Sequence, residues 1–145
     1  MGSRILAVDY GAKRIGLALS DETGTLARPL RVIEQSAQAC ETIAGVAREQ
    51  RVGQVIVGRP STLRHERSRS TEEAEAFAAR LRECLPPEVD MVLWDERLTT
   101  KQALSLMREV GTDERRGRAR VDMVSAALLL QSFLDRSRSA KAGEQ

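Results

Sequence analysis

The chain reads as an α/β protein: a mixed five-stranded sheet flanked by helices on both faces. Three observations predict this. Short apolar runs that end in turn residues recur at Ile5–Val8, Gln54–Val57 and Val89–Trp94, as in strands buried on both faces. Between them lie stretches with helical spacing, the clearest being Ala74, Phe77, Ala78, Leu81 and Leu85. Strands separated by helices need right-handed crossovers and so pair in parallel, whereas the opening runs follow one another closely and form an antiparallel meander.

Ile5-Leu6-Ala7-Val8 is the first strand and runs straight into Asp9. A carboxylate at that position is costly to bury unless something cationic meets it. Tyr10 to Lys13, with Gly11 in the turn, leads into the alternating run Arg14 to Ser20, which is a hairpin signal. Asp21-Glu22-Thr23-Gly24-Thr25 is a turn, and Leu30 to Glu34 is a third strand with Pro29 at its edge. Ser36 caps a helix to about Gln50, with Cys40, Ile43, Val46 and Ala47 on one face, and Gly53 stops it.

Gln54 to Val57 is the fourth strand, ended by Gly58-Arg59-Pro60. Ser61 to Arg69 has no apolar period and forms a basic loop containing Arg64, His65, Arg67 and Arg69. Ser70 or Thr71 caps the next helix, which runs to about Leu85 and ends at Pro86-Pro87. Val89 to Trp94 is the fifth strand. Thr99-Thr100-Lys101-Gln102 has the form of a capping box and opens a helix to about Val110, closed by Gly111. Thr112 to Arg120 is a second basic loop, with Arg115, Arg116, Arg118 and Arg120. A last helix runs from about Val121 to Ser137, and residues 138–145 form a polar tail expected to fray. No repeat or linker divides residues 1–137, which read as one domain.

Composition excludes several classes. No apolar stretch approaches the ~18 residues needed to span a membrane, and no leader precedes the first strand, so a cytoplasmic protein is expected. Cys40 and Cys84 both fall in helical patterns and read as buried thiols rather than a disulfide framework. Net charge is only +2, so the clustering of arginines in two loops says more than the total. Aromatic residues make up 3% of the chain, too few for a base-stacking platform.

Three carboxylates stand out for chemistry. Asp9 follows the first strand and Glu96 the fifth, and the carboxyl ends of parallel strands are where open α/β sheets place their sites. Asp122 begins an otherwise apolar helical stripe, Asp122, Ser125, Ala126, Leu129 and Phe133, which should pack on the sheet. Each acid also has a structural reading: a salt bridge for Asp9, pairing with Arg97 for Glu96, and the helix macrodipole for Asp122. Converging on one edge, the three would repel unless a cation neutralised them. Mg²⁺ or Mn²⁺ prefers such oxygen ligands and supports phosphodiester cleavage. The two arginine loops follow elements that end near the same edge and could hold a polyphosphate backbone. His65 is the only histidine, and no Ser/His/Asp or Cys/His set can be built from this sequence. Asp9-Tyr10-Gly11 is similar to the first phosphate loop of actin-like ATPases, but a second lobe with a second glycine-rich motif is missing.

Four blocks in order carry a family resemblance. They are Ala7-Val8-Asp9-Tyr10-Gly11 with Arg14-Ile15-Gly16-Leu17-Ala18; Val57-Gly58-Arg59-Pro60; Trp94-Asp95-Glu96-Arg97-Leu98-Thr99-Thr100; and Asp122-Met123-Val124-Ser125-Ala126-Ala127 with Leu130-Gln131-Ser132-Phe133-Leu134. From about Arg4 to Asp135 the sequence resembles the YqgF/RuvX family, described as Holliday junction resolvases and as pre-16S rRNA processing nucleases. The resemblance implies a ribonuclease H-like fold and maps Asp9, Glu96 and Asp122 onto the family's metal-binding catalytic acids. Members often continue after the Gly-x-Pro with an Asn and a Gly-containing turn; here Ser61-Thr62-Leu63-Arg64-His65-Glu66-Arg67 stands instead.

The expectation is a metal-dependent nuclease in which Asp9, Glu96 and Asp122 hold Mg²⁺ or Mn²⁺. Arg14, Arg64, Arg67, Arg97, Arg115, Arg116 and Arg118 would position a nucleic acid, either pre-rRNA or branched DNA. The resemblance favours 5′-end processing of pre-16S rRNA. A Holliday junction resolvase is the first alternative and would act as a homodimer, because a junction is two-fold symmetric. A non-catalytic RNA-binding ribosome assembly factor is the second.

Overall fold

The computed structural model describes residues 4–11, 13–59, 69–95 and 125–137. Five strands are present: β1 (Arg4–Asp9), β2 (Arg14–Ser20), β3 (Ala27–Glu34), β4 (Val52–Arg59) and β5 (Asp90–Asp95). They form one sheet in the order β3-β2-β1-β4-β5. β1 and β2 pair antiparallel, as do β2 and β3, whereas β1 with β4 and β4 with β5 are parallel. The helices are α1 (Ala39–Glu49), α2 (Arg69–Cys84) and a third, α3, over 125–137. The expected helix near 99–110, the second arginine loop over 112–120, the tail over 138–145 and the first arginine loop as far as residue 68 lie outside the described residues; Arg69, expected to end that loop, begins α2 instead.

The sheet separates two cores. On one face, Leu6, Val8, Ile15, Leu17, Val55 and Val57 pack under α1 and α2, against Ile43, Phe77, Ala78 and Leu81. The five positions predicted as the apolar stripe of α2 are all buried. On the other face, Ala7, Ala18 and Ile56 meet Ala126, Leu129, Leu130 and Leu134 of α3. β1 sits at the centre, with Leu6, Ala7 and Val8 fully buried, which is why it needs apolar residues on both faces. Among the described residues, no helix is long and apolar enough to cross a membrane.

Polar anchors fix the elements at their ends. The Ile5 N–H donates to Ser20 Oγ (2.8 Å), and that hydroxyl donates to the Asp21 carbonyl (3.0 Å). The Asp21 carboxylate accepts from the backbone N–H groups of Thr25 and Leu26 and from the Thr23 hydroxyl. These bonds, the Thr25 one foremost, then Thr23 and Leu26, hold the Asp21 carboxyl below its usual range. Gln131 ties α3 to the start of β3, accepting from Ala27 N–H (2.9 Å) and donating to the Thr25 carbonyl (3.0 Å).

Several boundaries differ from the sequence reading. β3 begins at Ala27, not Leu30, and takes Pro29 inside it. Pro29 is tolerated because β3 is an edge of this sheet, and a register shift between Leu17 and Ala18 lies opposite it. Ser36 does not cap α1. Its Oγ accepts from Gln38 N–H (3.2 Å), but the helix starts one residue after Gln38. Gly53 does not stop α1 either; the chain leaves the helix through Arg51, at φ 55°, and Gly53 already lies in β4. α2 starts at Arg69, so Ser70 and Thr71 belong to the helix rather than its cap. The cysteines were expected to be buried; Cys40 is half-buried and Cys84, the last residue of α2, is exposed. Neither forms a disulfide.

Candidate functional site

The row in which β1 ends, at the carboxyl edge of the parallel strands, carries the candidate site. Asp9 pairs with Gly16 of β2 and with Gly58 of β4, and Gly58 pairs in turn with Trp94 of β5. Paired residues in a sheet project to the same face. Alternation along β1 puts Asp9 on the face of Ile5 and Ala7, which is the α3 face. The Asp9 carboxylate is therefore half-buried, with a glycine on each neighbouring strand and no side chain beside it in the row. Arg14, also half-buried, begins β2 on the same face, beyond Gly16. Neither Asp9 nor Arg14 is without an interaction partner.

The turn joining them is tightly built. Gly11 has no room for a side chain, because a Cβ there would collide with the Arg14 carbonyl oxygen. Tyr10, pointing to the opposite face from Asp9, sets its ring on Phe77 of α2, with centroids 5.0 Å apart and planes at 44°. Gln35, just past β3, donates from its side-chain Nε2 to the Gly11 carbonyl (3.0 Å) and from its backbone N–H to the Lys13 carbonyl (2.9 Å). At the far end of the row, Trp94 meets Phe133 of α3 edge to face, with centroids 5.1 Å apart. Its buried indole N–H has no hydrogen-bond partner among the described residues.

Of the predicted site residues, Asp9 and Arg14 are described and share one face of the hairpin. Glu96, Asp122, Arg64, Arg67, Arg97, Arg115, Arg116 and Arg118 lie outside the described residues. Glu96 is the next residue after β5, and Asp122 is three residues before the first described residue of α3, whose Ala126 and Leu129 pack on the Asp9 face. Among the described residues no group of three or more His, Cys, Asp or Glu could hold a metal. Sequence reasoning did not single out Gly16 and Gly58 as the residues flanking Asp9. Counting the expected four-residue turn from Asp9 pairs it with Arg14; the observed register leaves six residues between Asp9 and its partner and so puts Gly16 there. Gln35 carried no signal, since it reads as an ordinary residue between a strand and a helix.

A family model described as "RuvX: Holliday junction resolvase" matches residues 3–136. A protein of Rhodococcus opacus described as "Putative pre-16S rRNA nuclease" is 40% identical over 148 residues, covering 97% of this chain and 83% of that one. One of the same description from Chloroflexus aurantiacus is 38% identical over 137 residues, covering 93% and 88%. Among solved structures, Thermus thermophilus RuvC in complex with Holliday junction substrate matches with a TM-score of 0.55 at 18% identity, covering 92% and 96%. The fowlpox virus resolvase with its Holliday junction DNA matches with a TM-score of 0.55 at 12% identity, covering 92% and 97%. At these identities the structures speak for the fold alone, a RuvC-like member of the ribonuclease H-like folds. Sequence blocks, sheet order and a match running almost end to end agree, and the chain belongs to the RuvX family.

Proposed function

We propose that this chain is a metal-dependent nuclease that hydrolyses phosphodiester bonds of structured RNA in the 5′-end processing of pre-16S rRNA. The observation that carries the reading is Asp9: a half-buried acid at the carboxyl end of the central strand, flanked in register by Gly16 and Gly58. The near-full-length relatives described as pre-16S rRNA nucleases supply the substrate. In this reading Asp9, Glu96 and Asp122 hold the metal. The donor set suits a hard divalent cation, Mg²⁺ or Mn²⁺, because carboxylate oxygens are its preferred ligands. When bound, the metal would lower the pKa of the attacking water and stabilise the leaving oxygen.

The chain's own residues do the rest. The two glycines keep the flanks of Asp9 clear for a phosphate and its sugar. Arg14, on the same face, meets a phosphate oxygen, and Arg64, Arg67, Arg97, Arg115, Arg116 and Arg118 extend that grip along the backbone. Such contacts fix the scissile bond over Asp9 without reading sequence. The substrate also implies a cytoplasmic protein.

A second reading, cleavage of Holliday junctions, is favoured by the description of the family model and by the fold shared with RuvC. The test is one cleavage panel: pre-16S rRNA fragments and four-way DNA junctions, each with Mn²⁺, Mg²⁺ or chelator. Metal-dependent trimming of the RNA is expected. Junction cleavage alone, by a dimeric protein, would transfer the assignment to the second reading. Salt-sensitive RNA binding with no cleavage would make the chain an assembly factor instead.

A further inference from the structure

The turn from Asp9 to Arg14 is held from outside its own hairpin. Antiparallel pairing of β2 with β3 ends at Arg14 and Glu34. Gln35, the next residue, continues the attachment in two ways. Its backbone N–H reaches the Lys13 carbonyl at 2.9 Å. Any residue except proline could make that bond. Its side-chain Nε2 reaches the Gly11 carbonyl at 3.0 Å, across 24 positions of sequence. That bond needs an amide donor of glutamine length.

Gly11 stands two residues after Asp9, in the turn where no side chain fits. A glycine left unanchored there would let the backbone after Asp9 sample many conformations. Tyr10 is fixed on the opposite face by Phe77. With Tyr10 seated and the Gly11 carbonyl tied, the peptide units following Asp9 are restrained on both sides. The direction of the Asp9 carboxylate is set by that backbone. An error of about 1 Å in the position of a reacting group can cost on the order of 10²-fold in rate.

We propose that Gln35 is a positioning residue for Asp9: its side-chain amide, through the Gly11 carbonyl, holds the carboxylate in its working orientation. This rests on the nuclease reading above. Gln35 touches neither substrate nor metal in this scheme, and its effect is carried entirely through the turn.

The test is Gln35→Met, which keeps the side chain's length and removes the donor. Two measurements are made on the variant and on wild type. Amide hydrogen exchange over Tyr10–Arg14 should speed up several-fold in the variant, with exchange in α1 and α2 unchanged. Cleavage of pre-16S rRNA in saturating Mn²⁺ should show kcat lowered by roughly 10–100-fold, the usual cost of losing a supporting contact. KM for RNA should stay near the wild-type value. A purely structural role would lower the fraction of folded protein while leaving kcat per folded molecule intact. Unchanged exchange in the turn, or a variant as fast as an active wild type, would overturn the positioning role alone. A wild type that cleaves nothing would overturn the nuclease reading and this one with it.

Discussion

The two faces of the sheet are built from different residues at the same depth. Toward α1 and α2, the central strands present Leu6, Val8, Ile15, Leu17, Val55 and Val57. Toward α3 the corresponding rows are Ala18, Ala7 and Ile56, and then Gly16, Asp9 and Gly58. Side-chain volume thus falls toward the carboxyl edge on one face only. The first face is organised to stabilise, since each large side chain buried there contributes about 1.5–3 kcal/mol. The second also buries apolar side chains, Ile56, Leu129, Leu130 and Leu134 among them, but its sheet residues are smaller and thin out around Asp9. The difference is one of side-chain size: the face toward α1 and α2 carries large apolar residues, whereas the α3 face is a core of smaller ones that ends at a half-buried acid between two glycines.

Three substitutions or modifications sharpen that contrast. The largest effect belongs to the packed face. Phe77 is 1% exposed and supports both the α2 core and the Tyr10 ring. Phe77→Ala should cost about 3–5 kcal/mol in urea denaturation. A loss under about 1 kcal/mol would mean that this face stabilises less than its burial implies. Gly58→Ala places a methyl beside Asp9. RNA cleavage should fall further than the folded fraction does. Cleavage by Gly58→Ala that tracks the folded fraction would show that the clear flank has no catalytic role.

The smallest effect concerns the thiols at the rim of the packed face. Burial, followed by the neighbouring Cys84 thiol, pushes the Cys40 thiol above its ordinary pKa, although Arg80 pulls the other way. Because the thiolate is the reactive form, iodoacetamide at pH 8 should modify exposed Cys84 several-fold faster than Cys40. The gap should narrow as pH rises through the raised Cys40 value and its proton leaves. Peptide mapping by mass spectrometry reads the order, and Cys40 reacting first would contradict the packing described.

Much of this was legible in the residues. The meander, the parallel strands and the α2 stripe follow from short apolar runs and from periodicity, which are dictated by burial. The failures are local. Ser36 offered a capping hydroxyl, yet it closes a turn ahead of α1, because serine serves turns as readily as caps. Gly53 looked like a helix stop, but Arg51 takes the left-handed conformation and leaves the glycine to the strand. Cys84 lies three residues beyond the buried Leu81, yet it sits on the exposed side of the last turn of α2. At the site, Asp9 was legible because a charge at the end of a buried strand is anomalous. Its glycine flanks and the Gln35 anchor were not, since both depend on pairing between strands that no single segment encodes.

The central claim is that Asp9 acts chemically and not as a structural acid. The direct measurement compares Asp9→Asn with wild type in Mn²⁺-dependent cleavage of pre-16S rRNA, with thermal unfolding run alongside. kcat should fall on the order of 10²-fold or more, as expected when a group that stabilises the transition state is removed, with Tm little changed. Wild-type cleavage by Asp9→Asn, or a rate that falls only because the variant unfolds, would contradict that claim.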